Sequence, residues 1–171
     1  MRNRGSVVFL SKFKIRNMRE DDIEIIYQNL HLDFVNKYFK NKQQQQKIHK
    51  NHNEWYKTHI SSFDYSIYIF EDEENNFVAM TSYEILTDTA KVNIYLNKDY
   101  RNKKYSQEIL SESINKFLSD NKNIKYLQAY ILEENIASKK LFEKLGFIYN
   151  DKKEICNDGL EYLIYKKDTI Q

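Results

Sequence analysis

Apolar and polar residues alternate along "KFKIRNM" (12 to 18), which predicts a first strand. "REDDIEIIYQNL" (19 to 30) then shifts to helical spacing, with acids in the first turn where the helix dipole favours them. "DFVNKYF" (33 to 39) predicts a short second helix. From 42 to 60, Ile48, Trp55 and Ile60, with His52 and His59 between them, fall roughly on one helical face. The polar tract "QQQQ" (43 to 46) reads as that helix's exposed start. "DYSIYIF" (64 to 70) and "FVAMTSYEIL" (77 to 86) predict two strands joined by a polar hairpin turn, "EDEENN". "TAKVNIYL" (89 to 96) is a further strand with Val92, Ile94 and Leu96 on one face.

Helical spacing returns at Ile109, Leu110, Ile114, Phe117 and Leu118. "IKYLQAYIL" (124 to 132) predicts a strand, and "ENIASKKLFEKLGF" (134 to 147) a turn and a helix that stops at Gly146. "FIYNDKKEI" and "LEYLIYK", with "CNDG" between them, predict a closing hairpin. The order β-α-α-β-β-β-α-β-α-β-β has no internal repeat. It implies a mixed α/β (α+β) sheet with helices on both faces, in a single domain over 1–171.

Composition narrows the function. Against 25 acidic residues stand 27 basic ones, so the chain is no strongly cationic binder of nucleic acid or membrane surface. Its single cysteine, Cys156, excludes an intramolecular disulfide and fits a reducing compartment. "VVFL" is too short for a signal-peptide core or a membrane span, and the expected setting is cytoplasmic. His49 and His52 can share a helical face, yet no Cys or carboxylate set completes a ligand group, and no metal is expected. G-x-x-x-x-G-K-S/T, G-x-S-x-G and H-E-x-x-H are all missing, which disfavours NTPase, esterase and zinc-protease chemistry. With 3 Gly and no Pro, a missing glycine says little about a lost site.

The stretch "RNKKYSQ" (101 to 107) lies where a strand feeds directly into a helix. The first amides of such a helix lack partners and point outward at the positive end of its dipole, ready for an anion. An ordinary solvated basic turn would show the same letters. The donors are main-chain groups, so glycine is needed only for positive φ or close approach. Asn102 tolerates left-handed geometry well. Lys104 does not, and an anion-holding loop is expected to leave it an ordinary helical φ.

"NIYLNKDYRNKKYSQEIL" (93 to 110) and "ENIASKKLFEKLGF" together resemble the GNAT superfamily of acetyl-CoA-dependent N-acetyltransferases. There a strand ends in Val-x-Pro-x-Tyr, followed by Arg or Gln, a central glycine and a small residue. Tyr100, Arg101 and Ser106 fit; Lys98 stands for the proline and Lys104 for the central glycine. Asn135, Ser138, Leu141, Phe142, Leu145, Gly146 and Phe147 fit the later motif throughout. The resemblance implies a GNAT-like, mostly antiparallel seven-stranded sheet. It also implies that acetyl-CoA pairs with the backbone of Ile94, Tyr95 and Leu96. Its pyrophosphate would be cradled by the loop from Arg101 through Asn102, Lys103, Lys104, Tyr105, Ser106 and Gln107. Asn135 would bond the cofactor's amide arm, and Phe142 would sit near the sulfur.

Acetyl transfer needs a deprotonated amine, a polarised carbonyl and a leaving thiolate. Family members often place the acid, a tyrosine, where Phe142 stands, and many carry a strand glutamate where this chain has Lys91 and Asn93. Glu84 and Tyr130 are the candidates to act through water, and neither is assigned. The N-terminal half, with "HNEWY" (52 to 56), resembles the branches acting on nucleotide-linked amino sugars and on ribosomal-protein N-termini. Asn29, Leu30 and His31 stand where the sugar-type members often carry Trp-Arg-Asn. The expected acceptor is a small-molecule amine such as an amino sugar, with a protein N-terminus or a non-catalytic CoA-binding role as alternatives. The expected assembly is a monomer or homodimer, with no nucleic-acid or membrane partner.

Overall fold

The computed structural model describes residues 12–33 and 41–169. Seven strands form one sheet in the order β1-β2-β3-β4-β5-β7-β6. They are β1 (Lys14–Asn17), β2 (Tyr65–Glu71), β3 (Phe77–Leu86), β4 (Thr89–Leu96), β5 (Tyr126–Leu132), β6 (Ile148–Ile155) and β7 (Glu161–Asp168). Among the described residues four α-helices accompany them: α1 (Asp22–Leu30), α2 (Lys42–Ile60), α3 (Tyr105–Asp120) and α4 (Ile136–Lys144). The order and the mostly antiparallel mixed sheet agree with the periodicity. The helix expected over 33–39 lies, beyond its first residue, outside the described residues.

Alternation along the strands sends side chains to two cores. Tyr68, Phe70, Ala79, Tyr83, Val92, Leu127 and Ala129 face Ile109, Leu110, Ile114 and Phe117 of α3 and Phe142 of α4. On the opposite face, Ile67, Ile69 and Met80 pack under Ile23 and Ile26 of α1 and Tyr56 of α2. The buried aromatic of α2 is therefore Tyr56. Trp55, expected on the inner face, is 42% exposed, lies flat on His59 with ring centres 4.0 Å apart, and flanks the core. One residue of helix phase, about 100°, separates the two outcomes. Asn41 caps α2 by accepting from the amides of Gln43 and Gln44, so the glutamine tract is a helix start as expected.

Among the described residues β4 and β5 are the only parallel neighbours in the sheet, and α3 makes the crossover between them, as parallel pairing requires. Their register is Thr89 with Tyr126, Ala90 with Leu127 and Lys91 with Gln128, and there it stops. β4 stays paired with β3 along its full length, and β5 with β7. The two strands thus separate from Val92 onward. α3 is fixed beneath the split by hydroxyls buried in the core: Ser113 meets both Thr81 and Tyr83 of β3, and Tyr83 stacks on Phe117. The far end of α4 closes through Gly146 at φ +83, with Gly146 donating to the Glu143 carbonyl and Phe147 to that of Phe142.

Arg16 joins β1, α1 and β2. It donates to both oxygens of Asp22 at 2.7 Å and to Glu71 at 2.6 Å, and Asp22, 4% exposed, also accepts from the Arg19 amide. Burial raises the Asp22 pKa, but Arg16 and the Arg19 amide outweigh it and the net direction is down. A depressed carboxylate contributes stability that is complete above its unfolded value, about 3.9, and that is lost as pH falls through the folded value. Arg16→Ala should lower the unfolding free energy by about 3 kcal/mol at pH 7, because it strands a buried charge. In urea titrations from pH 7 to 3, the wild type should lose more stability than the variant below pH 4.

Candidate functional site

The separated strands open a cavity of about 180 Å³ walled by Val92, Asn93, Tyr130, Leu132, Phe142 and Tyr162. It continues outward into a furrow of about 410 Å³ lined by Ile94, Tyr95, Leu96, Arg101, Asn102, Ser106 and Asn135. The furrow widens to about 620 Å³ between the start of α3 and the outer side of α4, where Lys104, Gln107, Lys140 and Lys144 stand. These spaces share residues: Ile94 and Asn135 border the first two, and Asn102 and Ser106 the last two. Two sequence segments about thirty residues apart are thereby brought to one groove.

The groove's floor is main chain. Asn102 and Lys104 both take left-handed backbone, φ +60 and φ +64. The expectation that Lys104 keeps an ordinary helical φ is overturned. Between the end of β4 at Leu96 and the start of α3 at Tyr105 the chain makes a 3-10 turn at Lys98–Tyr100 and then two left-handed steps, the second of them immediately before the helix. The strain at a lysine is on the order of 1 kcal/mol. Its side chain is exposed at the groove's outer rim. No side chain caps α3, and among the described residues the amides from 102 to 107 have no hydrogen-bond partner. An arc of free donors at the positive end of a sixteen-residue helix has the chemistry to receive an anion.

The side chains divide. Arg101 donates through Nε to the Leu96 carbonyl at 3.0 Å and spreads its guanidinium 5.6 Å from the Tyr95 ring centre. Tyr95 donates its hydroxyl to the Asn29 carbonyl at 2.7 Å, tying β4 to the end of α1. Lys103 and Tyr105 turn the other way. Lys103 sits 5.6 Å from the Tyr100 ring centre, while Tyr105 packs edge-on against Phe13 and accepts from Lys12 at 2.6 Å. Those two residues wall a different cavity beside Asp72, and neither borders the groove. Asn135 caps α4 by accepting from the Ser138 amide at 3.1 Å, which leaves its side-chain NH₂ to face the groove.

Phe142, 4% exposed, meets Phe147 edge-on and brings no proton to the cavity. Tyr130 does, and so does Tyr162, which the sequence reading passed over. Tyr162 lies opposite Leu132 in the β5–β7 ladder and so reaches the cavity because β7 inserts between β5 and β6. The Tyr162 hydroxyl donates to Asp158 at 2.7 Å, and this bond and then burial push it up to about 12. Glu84 pairs across from Lys91, where β4 and β5 are still joined, and is hydrogen-bonded to Tyr65; it does not wall the cavity. His49 and His52 pack against Tyr27, at 4.5 and 5.1 Å between ring centres. Among the described residues no group of three or more His, Cys, Asp or Glu could hold a metal ion, and no helix is long and apolar enough to cross a membrane.

A family model described as "Acetyltransferase (GNAT) domain" matches residues 12–148. A Bacillus subtilis (strain 168) protein named "Putative phosphinothricin acetyltransferase YwnH" is 35% identical over 100 residues, which are 55% of this chain and 59% of that protein. The match therefore spans about three-fifths of that relative's length. Among solved structures, one described as a crystal structure of "a putative phosphinothricin N-acetyltransferase" is 25% identical, covers 93% of this chain and 99% of its own, and has a TM-score of 0.70. Spermidine N-acetyltransferase from Vibrio cholerae, solved with CoA and spermine, has a TM-score of 0.72 over 92% of this chain and 95% of its own. At 13% identity that second likeness is one of fold.

Lys104→Gly should relieve the left-handed strain and, after the entropy a glycine adds to the unfolded chain, raise the unfolding free energy by about 0.5 kcal/mol. Lys104→Val should lower it by 1 kcal/mol or more, since a β-branched residue is still less tolerant of that φ. Chemical denaturation of the two variants tests the sign; stabilisation by valine would contradict the backbone described here.

Proposed function

The chain belongs to the GNAT acetyltransferase family, and on that footing we propose that it transfers the acetyl group of acetyl-CoA to a primary amine of a small molecule by direct attack in a ternary complex. One observation supports this above the rest. The unpaired edge of β4 runs straight into the arc of free amides at the start of α3, matching in order a strand-like amide arm and a diphosphate. Acetyl-CoA supplies the activated acyl group and a good leaving thiolate. The residues present fit it. Ile94 and Leu96 turn main-chain groups to the split, with the Leu96 carbonyl held by Arg101, while Tyr95, expected to pair as well, turns its own toward β3. The amides of Asn102 through Gln107 offer donors to the diphosphate, and Asn135 offers its side-chain NH₂. Arg101, Lys104, Lys140 and Lys144 add positive charge at the rim. Phe142 gives the inner end an apolar wall that keeps water from the thioester.

The proposed acceptor is a small primary amine rather than an amino sugar in particular. The relatives named above carry phosphinothricin and spermidine in their names, and neither is an amino sugar. Protein N-termini and a CoA-binding role without turnover remain the readings to be separated from it. Free thiol released from acetyl-CoA, measured across spermidine, phosphinothricin, glucosamine and a short peptide, separates them: turnover of small amines is expected, whereas binding without any turnover would favour the non-catalytic role.

Acetyl-CoA at ~100 times its dissociation constant should stabilise the fold by about 2.7 kcal/mol, seen as a raised Tm. Asn135→Ser keeps an oxygen to cap α4 but removes the amide donor; it should shrink that Tm rise while changing the unliganded Tm little. Lys104→Gly should leave the rise intact or larger. Loss of binding in Lys104→Gly would refute the main-chain account of the loop.

A further inference from the structure

The cavity at the head of the split holds no carboxylate, and Phe142 cannot exchange a proton, yet an amine acceptor arrives at neutral pH as an ammonium with no lone pair. An acid–base pair bordering it lies on the sheet face opposite α3 and α4. Tyr130 is the first residue on that face after Gln128, where β5 leaves β4, and it walls the cavity. Its hydroxyl donates to Glu154 Oε2 at 3.0 Å, reaching from β5 across β7 to β6. Glu154 is exposed to solvent at its other side. One end of the pair thus borders the reacting space and the other meets water.

We propose that Tyr130 and Glu154 form the proton exit for the acceptor amine, Tyr130 as the catalytic residue and Glu154 as the group that positions it and receives its proton. This deepens the acetyl-transfer reading and rests on it. The Tyr130 oxygen accepts one ammonium proton while its own phenolic proton passes to the Glu154 carboxylate, which returns it to water. The freed lone pair attacks the thioester carbon, the N–C bond forms and the C–S bond breaks. A second N–H proton leaves with the sulfur, giving the amide, free CoA thiol and one proton in solution.

The surroundings suit the assignment. Burial, followed by the Glu154 bond, pushes the Tyr130 phenol up to about 12, so it holds its proton until the carboxylate takes it. Lys91 Nζ lies 4.4 Å from the Tyr130 ring centre and comes from β4. Glu84 of β3 and Cys156 of the β6–β7 turn are the other ionisable groups that act on Tyr130. Tyr162, the other phenol in the cavity, donates to Asp158, an exposed carboxylate in its own hairpin, and so reaches solvent at the β6–β7 turn rather than across the sheet.

The test uses wild type, Tyr130→Phe and Glu154→Gln with acetyl-CoA and whichever amine of the panel the wild type acetylates fastest. Near pH 7 each variant should lose about a hundredfold in kcat. Its acetyl-CoA-induced Tm rise should be unchanged. From pH 7 to 9 the variants' kcat/KM should climb tenfold per unit with the free-amine fraction, the wild type should climb less, and the gap should narrow. Variants with wild-type rates would overturn the relay alone, as would a loss that is constant with pH and accompanied by a lowered Tm, since that marks a structural role. A wild type that binds acetyl-CoA but acetylates nothing in the panel would overturn the transfer reading and the relay with it.

Discussion

The parallel pairing of β4 with β5 ends after three positions, and the rest of the molecule is arranged around that early stop. A strand normally satisfies its main chain on both sides, and leaving one side bare in mid-sheet costs stability unless something polar replaces the missing neighbour. Here each strand is held on its far side, β4 by β3 and β5 by β7, so the pair can part without unravelling. The hydroxyl cluster of Thr81, Tyr83 and Ser113 then fixes α3 beneath β3. The amides that begin α3 therefore sit where the bare edge of β4 ends.

Within that frame the loop is specified by dihedral angles rather than by side chains. Asn102 and Lys104, two residues apart, both occupy left-handed backbone, and the amides around them are left without partners within the described chain. Glycine would take such angles freely. An asparagine and a lysine take them under constraint, from the packing of α3 on one side and the end of β4 on the other. The strain at Lys104 is small beside the burial of Ile109, Leu110, Ile114 and Phe117, which hold α3 in place. Side-chain charge is secondary, as Lys103 shows by pointing out of the groove altogether.

Much of this was legible in the chain. The strands and helices follow from period-two and helical spacing, while the loop's place between a strand and a helix left an anion-holding turn and an ordinary basic turn equally open. The motif around Asn135 and Phe142 brought the second wall. What escaped reading depended on contacts between distant segments. The φ of Lys104 is set by where α3 must lie, not by its neighbours in sequence. Tyr56 replaced Trp55 as the buried aromatic of α2 because a helix face of mixed aromatics has no sharp edge. Tyr162 came to the cavity only because β7 pairs between β5 and β6, and period two alone cannot say which face of a closing hairpin meets an opening three strands away.

A gap in the middle of a sheet leaves a raw edge, and raw edges invite the strands of other chains and the aggregation that follows. The bare stretch of β4 runs only from Val92 to Leu96, and Arg101 finishes it by taking the last carbonyl. Such an edge is too short, and too well sealed at its end, to nucleate a foreign β-strand. The guanidinium that closes it thus occupies the last acceptor that a foreign strand would need at that end of the gap.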